Sequence, residues 1–273
     1  MRIVRFTSAQ GLSFGVLDGD GNVAQIEGHP FGRIQFTGVR YAQADVRLLS
    51  PILPSMVVAI GKNYAEHIEE MRAMHTGDVP TAPLMFLKPS TSVIGPEEPI
   101  RIPEGSTNVH HEVELAVVIN ARGARNVTEQ QAMASVFGYT IGNDVTERDM
   151  QRSDGQWTRA KGFDSFCPLG PWIETDLAGL GLDPTDLELS CTVDGEPRQK
   201  GRTSQLIFGL PTLISYISRV MTLLPGDVIL TGTPAGVGPI RPGQRVECTI
   251  EGLGTLANPV TEADAISTAG GAA

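Results

Sequence analysis

Turn-forming residues interrupt this sequence at short intervals, and their spacing limits the elements that the chain can form. The 273 residues include 31 glycines and 19 prolines, too many for a bundle of long helices. The apolar segments between them are short, and several alternate polar and apolar residues in the manner of half-buried strands. We therefore predict a mostly β protein with some α-helix, in which strands outnumber helices.

The same turn-forming residues predict how the chain is divided into domains. Residues 1–50 carry short alternating segments separated by the Asp-Gly pairs of 18–21, a pattern typical of a small N-terminal β domain. The prolines that begin at Pro51 mark a boundary, after which the segments become longer. We predict a catalytic domain over 51–264 and a flexible tail over 265–273.

Periodicity predicts individual elements within the second domain. Helices are predicted for 65–74, 128–136 and 211–221. Strands are predicted for 57–60, 84–87, 112–119, 137–141, 187–193, 227–231 and 245–250.

Charge, hydropathy and cysteine content exclude several classes of function. The formal net charge of −10 disfavours binding to nucleic acid or to an anionic membrane surface. Apolar runs are far shorter than the ~20 residues that span a bilayer, and the first residues lack a secretory signal. The three cysteines are an odd number and widely spaced, as expected of reduced core residues in a cytoplasmic protein.

The segment from Glu112 to Ile119 places two carboxylates on one face of a predicted strand. Residues two apart in a strand share a face, so Glu112 and Glu114 project together beside the apolar Ala116 and Val118. Like charges at the edge of a core are costly, and a cation would resolve the conflict. The alternative is a solvated strand end.

A third carboxylate follows the next predicted strand. Asp144 would complete a site of hard oxygen ligands for Mg²⁺ or Mn²⁺. Three carboxylates without a cysteine disfavour structural zinc. The alternative is that Asn143 and Asp144 form a turn in which Asp144 caps the next helix.

Two further segments carry candidate catalytic groups. His67 and Glu70 are three residues apart on a predicted helix, where the carboxylate can orient the imidazole for general acid–base catalysis. Lys161 lies among glycine and aromatic residues and could stabilise an anionic substrate or an enolate. The alternatives are an exposed helical histidine and a surface lysine paired with Asp164.

The strand predicted for 227–231 runs into a glycine-rich turn, from Gly232 to Gly238, whose N–H groups can bind a carboxylate. The turn matches neither a P-loop nor a dinucleotide-binding fingerprint, so no nucleotide cofactor is expected. An ordinary hairpin turn is the alternative.

Six short motifs, in this order and spacing, resemble the fumarylacetoacetate hydrolase family over roughly residues 51–262. They are Gly61-Lys62-Asn63-Tyr64 with His67, Phe86-Leu87-Lys88-Pro89, Glu112-x-Glu114, Asn143-Asp144 through Arg148-Asp149-x-Gln151, Lys161-Gly162-Phe163-Asp164, and Thr231-Gly232-Thr233-Pro234-Ala235-Gly236. The resemblance implies a mixed β-roll or β-sandwich core of the family's C-terminal type, a homodimer, and one Mg²⁺ or Mn²⁺ ion per subunit.

The resemblance also implies residue roles. The metal ligands match Glu112, Glu114 and Asp144. The catalytic groups, a dyad on a lid helix and a lysine that faces the substrate oxygen, match His67, Glu70 and Lys161. The substrate-binding positions match Arg148, Gln151, Thr233 and Gly232.

The implied reaction begins from a small 2-oxo carboxylate. In the family a divalent metal acts as a Lewis acid on the 2-oxo group and stabilises the enolate that remains when the C3–C4 bond breaks. This predicts acylpyruvate hydrolysis or oxaloacetate decarboxylation, with 2-hydroxyhepta-2,4-diene-1,7-dioate isomerisation (the 5-carboxymethyl-2-hydroxymuconate isomerase type) as an alternative. In a non-catalytic protein with a structural cation, the dyad and Lys161 would not need to converge on the metal.

Overall fold

The computed structural model describes residues 1–72 and 79–263. Over these residues strands predominate and the helices are few and short, which confirms the predicted mostly β class. The predicted tail over 265–273 and the last residues of the helix predicted for 65–74 lie outside the described residues. No helix in the described ranges has the length and apolar character needed to cross a membrane.

The strands, in chain order, are β1 (Arg2–Ser8), β2 (Gly11–Leu17), β3 (Asn22–Ile26), β4 (Phe36–Ala42), β5 (Arg47–Leu49), β6 (Val57–Gly61), β7 (Leu84–Lys88), β8 (Val93–Ile94), β9 (Ile100–Ile102), β10 (Val109–His110), β11 (Val113–Ile119), β12 (Val136–Asn143), β13 (Thr146–Glu147), β14 (Cys167–Glu174), β15 (Glu188–Val193), β16 (Glu196–Arg202), β17 (Val228–Leu230), β18 (Arg245–Ile250) and β19 (Gly254–Glu262). The helices are α1 (Ala65–Arg72), α2 (Glu129–Ala132), α3 (Arg148–Ser153), α4 (Thr158–Lys161) and α5 (Leu210–Val220).

Most strands form one large mixed sheet. Its order is β4-β3-β2-β1-β14-β12-β11-β17-β6-β7, with β5 paired to β1 and β8 paired to β14. A second sheet has the order β16-β15-β18-β19-β9, and β10 pairs with β13. Because β11 is antiparallel to β12 and β17, and β17 is parallel to β6, β11 begins where those three strands end. The large sheet therefore gathers four chain segments at one edge.

Strand β11 is buried on both faces. Alternate residues from Val113 to Ile119 lie in the core cluster that also contains residues of the second sheet and of α5. Ala116 and Val118 lie in a separate cluster with residues of β6 and β17. This alternation confirms the predicted division of the strand into two faces.

The N-terminal strands continue the large sheet. β1 to β4 form a β-meander, and β1 pairs with β14, where Arg2 lies opposite Glu174. The predicted boundary between 1–50 and 51–264 stays a prediction, since shared sheet pairing does not show which segments fold independently.

The predicted elements occur with ends shifted by a few residues, except in one place. The helix predicted for 128–136 is wrong in its second half: α2 ends at Ala132, a 3₁₀ turn follows, and β12 begins at Val136. Tertiary pairing explains the difference, because Val136 lies opposite Ile119 in the sheet. The helix predicted for 211–221 is confirmed as α5.

The core position of β11 predicts a large stability effect. Leu115 is fully buried in the main core cluster, so we expect Leu115→Ala to lower the free energy of unfolding by about 2–5 kcal/mol. Leu53 is 60% exposed, and Leu53→Ala should change that free energy by less than about 0.5 kcal/mol. Urea titration of both variants measures the difference, and equal midpoints would contradict it.

Candidate active site

Three carboxylates meet at the edge of the large sheet. Glu112 directly precedes β11, Glu114 is its second residue, and Asp144 directly follows β12. Their side chains are buried, and one oxygen of each lies within 4.8 Å of the others. The predicted convergence is therefore correct, and it results from the antiparallel pairing that places Val113 opposite Asn143.

Local hydrogen bonds position these carboxylates. Asn143 Oδ1 accepts from the backbone N–H of Glu112 at 2.9 Å, and the N–H of Asp144 donates to the carbonyl oxygen of Glu112, also at 2.9 Å. Asp144 does not cap the next helix. Glu147 does so instead, by accepting from the N–H of Met150 at 2.5 Å. The side chain of Asp144 thus remains directed to the carboxylate cluster.

Cations of the protein already contact two of the three carboxylates. Lys161 Nζ lies 2.9 Å from Glu112 Oε2 and 2.5 Å from Asp144 Oδ2, and Lys88 Nζ lies 2.5 Å from Asp144 Oδ1. The guanidinium of Arg148 donates to Glu112 Oε1. Within the glutamate pair, the charge of Glu112 is therefore neutralised by cationic side chains of the protein. The strand pattern alone does not indicate these cations.

Glu114 is the carboxylate that these cations leave without a salt bridge. Among the described residues, its only hydrogen-bond donor is the N–H of Gly232, at 2.6 Å. Burial, together with repulsion from Asp144 and Glu112, raises the pKa of Glu114. Burial also acts on Glu112, but Arg148 and Lys161 outweigh it and lower the pKa of that residue. A divalent cation fits this donor set, since it would add positive charge beside Glu114.

Lys161 is a buried residue of the site. Its salt bridges to Glu112 and Asp144 replace the suggested surface pair with Asp164, so that alternative is wrong. The ammonium also lies 4.8 Å from the ring centroid of Phe86 and 5.8 Å from that of Trp157. Although burial opposes protonation, the adjacent carboxylates raise the pKa of Lys161.

The predicted dyad faces the same site. His67 Nδ1 lies 3.3 Å from Glu70 Oε2, and the imidazole is buried, which excludes the exposed alternative. Both carboxylate oxygens of Glu70 accept from the N–H of Gly236 at 3.1 Å. Burial favours the neutral acid, but the hydrogen bonds from His67 and Gly236 lower the pKa of Glu70. Glu70 is thus held as an anion that can orient His67.

The glycine-rich turn does bind carboxylates, as its composition predicts, but they belong to the protein. Gly232 donates to Glu114 and Gly236 donates to Glu70. Gly232 has a φ of +105°, and a Cβ at this position would lie 2.7 Å from Cβ of Asn63. Only glycine fits here without strain.

One cavity of about 270 Å³ brings together His67, Lys161 and two of the three carboxylates. Its lining residues are Ile60, Gly61, Lys62, His67, Ile68, Glu112, Glu114, Arg148, Gln151, Arg152, Gly155, Trp157, Lys161 and Thr233. Three of the four predicted substrate-binding residues are among them, and Gly232 is not. Arg148 Nη1 donates to Gln151 Oε1 at 2.8 Å, and Thr233 Oγ1 donates to the carbonyl oxygen of Val113 at 2.8 Å.

Sequence reasoning missed the roles of Lys88, Trp157 and Gln199. Lys88 lies at the end of β7 and is fully buried; it belongs to one of the six family motifs, but the motif alone assigned it no role. Gln199 accepts from the N–H of Val113 at 3.0 Å and donates to Thr233 Oγ1 at 2.7 Å. No local pattern marks Gln199, because it lies in the second sheet and its partners Val113 and Thr233 are distant in the sequence. For Trp157 the sequence offers only a weak signal, namely an aromatic residue four positions before Lys161.

Two sequence profiles cover most of the chain. The profile described as fumarylacetoacetate (FAA) hydrolase C-terminal matches residues 56–261, and the one described as Rv2993c-like, N-terminal matches residues 1–51. The relative named Protein Rv2993c from Mycobacterium tuberculosis is 54% identical over 266 residues, covering 95% of this chain and 98% of its own. The mitochondrial oxaloacetate decarboxylase of Dictyostelium discoideum is 46% identical over 204 residues, covering 73% and 90%.

Solved structures agree with these relationships. The 5-carboxymethyl-2-hydroxymuconate delta-isomerase from Mycobacterium smegmatis is 52% identical with a TM-score of 0.88, covering 96% of this chain and 100% of its own. The maleylpyruvate hydrolase from Sphingobium sp. SYK-6, solved with manganese(II) and pyruvate, is 30% identical with a TM-score of 0.78, covering 97% and 100%.

Proposed function

This chain belongs to the fumarylacetoacetate hydrolase family, and we propose that it is a divalent-metal-dependent enzyme that cleaves the C3–C4 bond of small 2-oxo carboxylates. The two candidate reactions are acylpyruvate hydrolysis and oxaloacetate decarboxylation. The observation that carries the proposal is that His67, Lys161 and two of the carboxylates line one small cavity. A purely structural cation would not need the dyad beside it.

The carboxylates of Glu112, Glu114 and Asp144 would hold Mg²⁺ or Mn²⁺, since hard oxygen ligands suit both ions. When bound, the ion supplies Lewis-acid polarisation of the substrate's 2-oxo group. The manganese and pyruvate in the maleylpyruvate hydrolase, a relative with the same fold, support this choice of metal and substrate class.

Residues of the chain supply the other steps. Glu70 accepts from His67 Nδ1–H, which leaves Nε2 free to take a proton from water. Lys161 provides a positive charge for the oxygen that becomes negative as the C–C bond breaks. Arg148, oriented by Glu112 and Gln151, presents donors to the substrate carboxylate.

Isomerisation of 2-hydroxyhepta-2,4-diene-1,7-dioate is the second candidate, favoured by the name of the M. smegmatis relative. This reaction moves a proton and requires neither water addition nor loss of CO₂. The dyad of His67 and Glu70 could carry out this proton transfer.

A substrate screen tests the proposal. Purified protein with Mg²⁺ or Mn²⁺ is supplied with oxaloacetate, acetylpyruvate, fumarylpyruvate or the dienedioate, and the loss of enol absorbance is followed. Product mass then separates addition of water, loss of CO₂ and isomerisation. We expect one of the first two, with turnover abolished by EDTA and restored by metal. A lack of turnover on all four substrates, in protein shown to bind metal, would favour the structural-cation alternative.

We also propose that the protein is a homodimer, as its resemblance to the family implies. Light scattering of the purified protein should give twice the mass of the 29.1 kDa chain. A stable and active monomer would refute this proposal.

A further inference from the structure

Two cysteines lie opposite each other in the second sheet. Cys191 in β15 and Cys248 in β18 are direct cross-strand partners. The thiol of Cys248 donates to the sulfur of Cys191 across 4.0 Å. Both are free thiols, and each is only 1% exposed. The two sulfurs therefore already lie in contact.

The backbone at this position suits a cross-strand disulfide. The N–H of Glu251 donates to the carbonyl of Glu188, and the N–H of Asp194 donates to that of Arg245, each at 2.9 Å. These hydrogen-bonded pairs alternate with non-hydrogen-bonded ones, so Cys191 and Cys248 occupy a non-hydrogen-bonded pair. Across such a pair the Cα atoms lie about 4.5 Å apart, inside the range of roughly 4.4–6.8 Å that disulfides span.

The hydrogen-bond ladder between β15, which contains Cys191, and its neighbour β16 is irregular. β16 is an edge strand, and its pairing with β15 shifts register between Cys191 and Thr192. A β-bulge at a sheet edge interrupts the hydrogen bonds between the edge strand and its neighbour. The free energy needed to separate β16 locally from β15 is therefore lower. An oxidant of nearly the size of water can then reach the pair.

The hydrogen bond between the thiols also distinguishes them. Because Cys248 donates to Cys191, the pKa of Cys191 is lowered and the pKa of Cys248 is raised. The third cysteine, Cys167, has no such donor in the part of the chain that the structure describes, and burial raises its pKa to about 12. The thiolate is the reactive form of cysteine, so Cys191 is the favoured nucleophile.

We propose that Cys191 and Cys248 form a redox modification site, at which hydrogen peroxide converts the two thiols reversibly into a disulfide. The Cys191 thiolate attacks one peroxide oxygen, the O–O bond breaks, and a sulfenic acid and hydroxide result. Cys248 then attacks the sulfenic sulfur, the S–S bond forms and the S–O bond breaks. The hydroxide from the O–O bond and the hydroxide released from the sulfenic acid take up the two thiol protons and leave as two water molecules, so the pair loses two electrons and the peroxide gains them.

Gln199 connects this pair to the cavity. It lies opposite Cys191 on β16, and its side chain accepts from His111 Nδ1 at 2.9 Å. Its amide nitrogen donates to Thr233 Oγ1 and to the carbonyl of Pro234. Closing the disulfide draws the Cys191 sulfur toward Cys248 and changes the packing of Gln199, so we expect reversible loss of turnover.

Thiol counting by mass spectrometry tests the disulfide. Native protein is treated with peroxide and then unfolded in the presence of N-ethylmaleimide, which alkylates free thiols. The mass of the intact protein is then measured. Untreated protein, with its three free cysteines, should take up three maleimide groups. Oxidised protein should take up one, at Cys167, and dithiothreitol should restore all three. Proteolysis of the oxidised protein should yield one cross-linked peptide pair joining Cys191 to Cys248.

A variant supports the assignment. Cys248→Ala, checked for folding by thermal unfolding, should form no disulfide and should leave Cys191 as a sulfenic acid that dimedone traps. Wild-type protein that keeps Cys191 and Cys248 alkylatable after peroxide treatment, or that pairs Cys167 instead, would overturn the proposal.

Turnover of the oxidised protein is a second readout, and it alone rests on the proposed function. Unchanged turnover in protein with a confirmed disulfide would overturn the link through Gln199. A protein without turnover before oxidation would instead count against the proposed function, and the thiol count would still decide the disulfide.

Discussion

Replacing Glu114 with glutamine is expected to abolish divalent-ion binding and turnover together. Among the described residues, Glu114 is the member of the carboxylate cluster without a salt bridge, so its charge is the one most available to a bound cation. The loss of turnover should reach at least about 10³-fold. This estimate follows because a divalent ion supplies several kcal/mol of charge stabilisation, and each ~1.4 kcal/mol corresponds to a factor of ten in rate.

Glutamine separates this effect from misfolding. Its side-chain oxygen can still accept from the N–H of Gly232, and the substitution removes a carboxyl group whose ionised form is disfavoured by burial and by the neighbouring carboxylates. The metal-free variant should therefore unfold at a temperature no lower than that of the metal-free wild type. Glu196 is exposed on β16, and Glu196→Gln should retain both metal binding and turnover. Isothermal titration with Mn²⁺ measures binding, and an active Glu114→Gln variant without metal would rule out the assignment.

His67→Ala is expected to lower kcat for acylpyruvate hydrolysis by roughly 10²–10⁴-fold, the usual contribution of a general acid–base group. Metal affinity should stay near that of wild type, because His67 is not among the clustered carboxylate ligands. Glu70→Gln should also lower kcat, since it removes the charge that orients the imidazole. Glu66 is exposed on the same helix, and Glu66→Ala should leave kcat unchanged.

Decarboxylation distinguishes two roles for the dyad. Loss of CO₂ from oxaloacetate needs no attacking water, so His67→Ala should keep much of this activity if His67 acts only as a base. It should lose the activity if the dyad chiefly closes the site over the substrate. Unchanged hydrolysis in both His67→Ala and Glu70→Gln would show that the dyad has no catalytic role.

Local geometry explains which parts of the candidate site could be predicted. Glu112 and Glu114 share a face because side chains alternate along a strand, and His67 reaches Glu70 because residues three apart are neighbours on a helix. Neither relation depends on the rest of the fold. The helix predicted for 128–136 is wrong for the opposite reason. Its last residue, Val136, pairs with Ile119 of β11 and therefore belongs to β12.

Sequence patterns were enough to predict the mostly β class, the position of most strands, the carboxylate pair and the dyad. Each of these follows from residue spacing within one segment. Long-range packing, in contrast, brings both Lys88 and Lys161 to Asp144, at separations of 56 and 17 residues along the chain. It also places Gln199 of the second sheet against Thr233 in the cavity wall. Such contacts depend on how strands pair and sheets pack, and no local periodicity encodes which distant side chain will fill the space beside a buried charge.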